Sequence, residues 1–137
     1  MHITLKNRIK QVEMWLNENF PTPYPVVVKW CPKIAADKHE SAAVKRIGYY
    51  GECGYSDRTI VIRISSRKNR SIDSALDTLL HEWAHAVTMP NERVWRRLEK
   101  AGNVQEHPDE FWLMLGRIYR SWHDEGGWSD SKKFRNF

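Results

Sequence analysis

The stretch from Ile72 to Thr88 constrains this chain more than any other. Ala75, Leu76, Leu79, Leu80, Trp83 and Val87 recur at the three- and four-residue spacing that places side chains on one side of an α-helix. Ser71 or Asp73 can cap the start by accepting a hydrogen bond from an unpaired backbone N–H, and Pro90 cannot continue the helix. A helix with so broad an apolar side must be covered, so the rest of the chain is read for what covers it.

Before this helix, Leu5, Ile9, Val12 and Leu16 recur at helical spacing, with Trp15 widening the stripe, and Pro21, Pro23 and Pro25 follow. This predicts a helix over 4–19. Val26 to Trp30 is short and β-branched, which reads as a strand. Residues 35–40 carry no clear pattern. Val44 to Tyr50 reads as a second strand, with Gly48, Gly51 and Gly54 marking bulges or a turn. Arg58 to Ser65 alternates polar and apolar side chains, as a strand with one buried face does, and Arg67 to Arg70 is a polar loop.

After the central helix, 91–100 reads as a charged helix ended by Gly102-Asn103. A further helix is expected over 108–122, with Pro108 suited to its first position. The tail past Gly126-Gly127 is expected to fray. Helix, then strands within 26–65, then helices predicts an α+β domain with a small, mostly antiparallel sheet packed on helices. The 137 residues favour one domain over 1–137, and a hydrophobic fraction of 41% supplies its core.

The net charge of +5 permits an acidic partner without requiring one. Cys31 and Cys53 form no Cys-x-x-Cys pair, so they do not read as a zinc ribbon. Two such thiols suit a reducing compartment, and a disulfide between them stays open. Lys6, Arg8, Lys10 and Glu13 interrupt the first twenty residues, which lack the apolar run of an export signal or membrane span. The expected location is the cytoplasm.

The central helix also carries the chemistry. His81 and His85 are four positions apart, so both imidazoles lie on one side and can reach one ion. Glu82 sits about a quarter turn round, poorly placed as a ligand but able to reach a water at the ion, as in the His-Glu-x-x-His arrangement of metalloproteases. There a zinc ion lowers the water pKa, and the glutamate takes the proton as the water attacks a carbonyl. A catalytic zinc wants three protein ligands and one open position. His107, at the entrance of a helix with Phe111 below it, is the first choice for the third, and Glu110 and Glu106 are the alternatives.

His81-Glu82-Trp83-Ala84-His85-Ala86, followed by His107-Pro108-Asp109-Glu110-Phe111, resembles the SprT-like (Spartan-type) zinc metalloproteases over roughly residues 60–122. The resemblance implies a zincin-like fold, a Zn2+ cofactor held by His81, His85 and His107, and Glu82 as general base of a peptide-bond hydrolase. Two departures stand out. Pro108 replaces a usual glycine, and the 22 positions between His85 and His107 exceed the family's usual gap.

Several roles stay open. Tyr119, His123 and Tyr55 are candidates to stabilise an oxyanion. Asp77, one turn before His81, could orient that ligand from behind. The strand at 58–65 is expected to offer an edge for an extended peptide. Basic residues gather at Arg67, Lys68 and Arg70, at Arg93, Arg96, Arg97 and Lys100 around Trp95, and at Lys132, Lys133 and Arg135. They allow nucleic-acid binding, although a solvated helix face is the plainer reading. The expected partner is a protein or peptide substrate. The competing readings are a regulatory or DNA-associated binding module with a structural or vestigial zinc, and a zincin dedicated to cleaving a single repressor.

Overall fold

The computed structural model describes residues 4–102 and 107–125. The elements run α1 (Leu5–Asn19), β1 (Val26–Cys31), α2 (Ala42–Ile47), β2 (Gly51–Ser56), β3 (Thr59–Ser65), α3 (Ile72–Thr88), α4 (Glu92–Ala101) and α5 (Asp109–Asp124). Four helices begin the same way. Thr4, Ser41, Ser71 and Asn91 are in extended backbone, and each side-chain oxygen accepts a hydrogen bond from the N–H three residues on, at 3.0–3.3 Å. Each cap satisfies a donor that the helix itself leaves unpaired.

Helix α3 is the centre of the core. Ala75, Leu76, Leu79, Leu80 and Trp83 are fully buried, and so are Ala84 and Ala86 from its other sides. Ile9, Val12 and Leu16 of α1 cover one flank, Ile60, Ile62 and Ile64 of β3 another, and Phe111, Leu115, Ile118 and Trp122 of α5 a third. Burying each such side chain contributes roughly 1.5–3 kcal/mol. The Trp83 indole N–H also donates to the carbonyl of Phe20 at 2.9 Å, tying the end of α1 to the motif helix.

The sheet has the order β1-β3-β2. Strand β1 pairs with β3 in parallel (Val26 opposite Ile60, Trp30 opposite Ile64), and β2 pairs with β3 antiparallel (Cys53 opposite Ile62). The sheet is therefore mixed rather than mostly antiparallel. Strand β3 is its middle strand, not an edge, and both of its faces are buried at Ile60, Val61 and Ile62 rather than one.

Three further expectations are corrected. Residues 44–50 are not a strand: the Ser41 cap and Ala42-Ala43 favour a short helix, which Gly48 ends at φ 83°. Tyr49 then makes only an isolated bridge to Ile34. The missing strand is β2, in the glycine-bearing segment read as a turn. It joins β3 through Asp57 and Arg58, both left-handed (φ 48° and 61°), a tight hairpin without the Asn-Gly signature that usually announces one. Glu92 of α4 steadies this turn by accepting the Arg58 N–H at 2.9 Å. Pro108 stands just before α5 as its N-cap rather than inside it. Cys31 and Cys53 are free thiols on the two outer strands. Among the described residues no helix is long and apolar enough to cross a membrane.

Candidate metal centre

Helix α3 presents His81 and His85 from successive turns, and α5 packs alongside so that His107, two residues before its first turn, arrives opposite them. One ring nitrogen from each of the three histidines lies within 4.8 Å of the others. The Nε2 atoms of His81 and His107 are 3.4 Å apart. Two nitrogens bound to one tetrahedral zinc at its usual bond length stand about 3.3 Å apart, so this pair already has the spacing of shared ligands.

Phe111 is the floor beneath all three rings. It is fully buried, stacks on His85 at 4.2 Å between centroids and 23° between planes, and lies 5.0 Å from His81 and 4.8 Å from His107. Trp112, half-exposed, lies against the outer side of His107 at 5.3 Å. Burial pushes the His85 imidazole down to about 3, with His81 and His107 adding to the effect. His81 is lowered by burial and then by His107, while the Asp77 charge acts the other way. Neutral rings keep the lone pairs that a cation requires.

Glu82 follows His81 on the same turn and is 7% exposed, with that surface opening into a cleft of about 1360 Å³ which the three histidines also line. Strand β2 forms the opposite wall through Gly51, Glu52 and Cys53. Gly51 lets the wall come close: a Cβ there would lie 2.5 Å from Thr78 Cγ2 and 3.2 Å from Glu82 Cγ. Burial pushes the Cys53 thiol well up, and Glu82 and Glu52 add to it.

The wall is set by a residue of the polar loop between β3 and α3. Asn69 is fully buried. Its amide N–H groups donate to the carbonyls of Tyr50 (2.9 Å) and Ser65 (2.8 Å), and its oxygen accepts from Ser74 (3.0 Å) and Thr78 (2.7 Å). One side chain thus fastens the start of β2, the end of β3 and the first turns of α3. An isolated asparagine between charged residues gives no signal of this in sequence.

The candidates for oxyanion stabilisation are not gathered at the histidines. The Tyr55 hydroxyl donates to the Pro90 carbonyl at 2.6 Å, its ring packs between Tyr24 and Trp95, and burial raises it to about 12. The Tyr119 hydroxyl donates to Asp77, linking α5 to α3, and burial raises its pKa. Asp77 therefore joins α3 to α5, besides lining the cleft. His123 is exposed in the last turn of α5, roughly 20 Å along the helix axis from its start. Glu110 lines the cleft but is not part of the three-histidine cluster, and Glu106 lies outside the described residues.

Of the basic groups, Lys68 caps the Gly48 carbonyl (3.2 Å) and sits over the Tyr50 ring, Arg70 donates to the Arg67 carbonyl, and Arg96 pairs with Glu92 at 2.9 Å. Lys132, Lys133 and Arg135 lie outside the described residues. A scan against protein-family models found no match, and neither did searches of curated proteins and of solved structures.

Proposed function

We propose that the protein is a zinc-dependent metallopeptidase that hydrolyses peptide bonds of a protein substrate. The observation that carries this reading is the convergence of three imidazoles in one cleft with Glu82, a nearly buried carboxylate on the same turn as His81. His81, His85 and His107 would hold the ion, one ring nitrogen each. Zinc bound there would supply Lewis-acid chemistry, acidifying water and polarising a carbonyl. Glu82 is the proton carrier. Its carboxylate takes a proton from the attacking water as the new C–O bond forms, then delivers it to the amine nitrogen as the C–N bond breaks.

In this reading strand β2, rather than β3, holds the substrate. Its outer side has no partner among the described strands, and Gly51 to Cys53 run along the cleft beside Glu82. An extended peptide adding to this edge would carry its backbone past the carboxylate. The chain would then be a minimal zincin, in keeping with the SprT-like resemblance of its two histidine segments. A purely structural zinc would be enclosed by four ligands. The open cleft and the carboxylate beside the cluster favour catalysis over that alternative.

The test is turnover of an unfolded protein by zinc-loaded wild type and by Glu82→Gln. Glu82→Gln should keep its zinc and lose turnover by about a thousandfold. Undiminished turnover in Glu82→Gln, or none in zinc-loaded wild type, would reject the reading.

A further inference from the structure

The three histidines are not held alike. His81 and His85 stand within α3, where helical hydrogen bonds fix the backbone of each. His107 lies outside the regular turns of both long helices, two residues before Asp109, and is exposed. The place of its imidazole must be set another way.

Pro108 sets the backbone. A proline restricts the residue before it to extended conformations, and Pro108 is itself extended, at φ −69° and ψ 170°. Its carbonyl accepts the N–H groups of Phe111 (3.0 Å) and Trp112 (3.3 Å). The first turn of α5 is thereby tied to the residue next to His107.

The two rings on that turn set the side chain. Phe111 and Trp112 have centroids 5.1 Å apart and planes at 72°, so they form a corner. His107 fits into it, 4.8 Å from Phe111 and 5.3 Å from Trp112. Phe111 is fully buried and also lies under His81 and His85, so the core accounts for its place. Trp112 differs. It is 55% exposed and lies outside the core cluster, and its ring contacts among the described residues are His107 and Phe111. An unrestrained histidine at a helix entrance samples several staggered rotamers. The indole, against the outer side of the imidazole, blocks the swing away from α3.

We propose that Trp112 is a positioning residue of the metal centre, whose indole keeps the His107 imidazole turned towards His81 and His85 so that the three share one ion. With the ring so placed, the Nε2 atoms of His107 and His81 are 3.4 Å apart. Trp112 thus does for the third ligand what the backbone of α3 does for the first two, without adding to the core. The proposal rests on the zinc-binding part of the peptidase reading and not on hydrolysis.

The experiment measures the zinc dissociation constant of the full chain by competition with a chromophoric chelator, for wild type, Trp112→Ala and Trp112→Phe. Denaturant unfolding of each zinc-free protein is followed beside it. Trp112→Ala should bind zinc about tenfold more weakly, the loss that follows when a residue orienting a ligand is removed, with its zinc-free midpoint unchanged. Trp112→Phe keeps an aromatic wall and should stay within about threefold of wild type. That pattern upholds the proposal even where Glu82→Gln keeps its turnover and the peptidase reading fails. Zinc held as tightly by Trp112→Ala as by wild type overturns the proposal and leaves the metal centre standing. Equal losses in Trp112→Ala and Trp112→Phe overturn it too, as does a loss matched by a fall in the zinc-free midpoint, which would make the indole a prop for the fold. Wild type that takes up no zinc overturns the metal centre and the proposal together.

Discussion

The two walls of the cleft are built on different principles. On one side, α3 carries two of the histidines and the entry to α5 the third, the inner faces of both long helices are buried, and a single ring, Phe111, lies under all three imidazoles. On the other side, β2 is six residues long and mostly half-buried, and it contains two glycines. Its position depends on the Asn69 hydrogen bonds, on the absence of a side chain at Gly51 and on Trp95 packing over Gly54. The first wall is held by apolar area, which tolerates small polar changes. The second is held by a few specific contacts, each of which matters. The histidine-bearing wall and the strand wall should therefore fail separately.

The largest effect is expected on the helical wall. Phe111→Ala removes a fully buried ring and should cost about 3–5 kcal/mol in denaturant unfolding, with zinc affinity falling because the imidazoles lose their floor. Retained affinity in a folded Phe111→Ala protein would show that the rings are held by something else.

Next comes the strand wall. Asn69→Ala takes the acceptor from the Ser74 and Thr78 hydroxyls and the side-chain donor from the Tyr50 and Ser65 carbonyls, which keep the N–H groups of Ser65 and residue 69, at a cost of about 2 kcal/mol. Gly51→Ala forces a methyl against Thr78 and should cost about 1–3 kcal/mol. Both variants should raise KM for an unfolded substrate and leave zinc content near that of wild type. Zinc lost from Gly51→Ala in proportion to its stability would mean that the walls are not independent. Tyr119→Phe should have the smallest effect. It removes the hydroxyl that joins α5 to Asp77, costing about 1 kcal/mol, and calorimetry should detect it as a small drop in Tm.

The same contrast explains what could be read from sequence. Helix α3 was legible to the residue, because Ser71, the apolar spacing and Pro90 are local signals that agree with the tertiary structure. His81, Glu82 and His85 came with it, since helical spacing alone puts them on adjacent turns. His107 was reachable because a helix entrance is also a local feature. Strand β2 was not legible: its glycines are there for Thr78, Glu82 and Trp95, neighbours distant in sequence. The Val44-to-Tyr50 segment misled through its β-branched residues, where the Ser41 cap and two alanines decided for a helix. Tyr55, Tyr119 and His123 could be placed on elements but not orientated, because a hydroxyl's partner is a tertiary fact.

The most direct measurement is the zinc content of the purified protein, by elemental analysis, for wild type beside His107→Ala. Wild type should carry about one zinc per chain, and His107→Ala, folded by circular dichroism, should lose most of it when dialysed against a weak chelator. Wild type that takes up no zinc, or His107→Ala that holds zinc as firmly as wild type, would contradict a metal centre built from His81, His85 and His107.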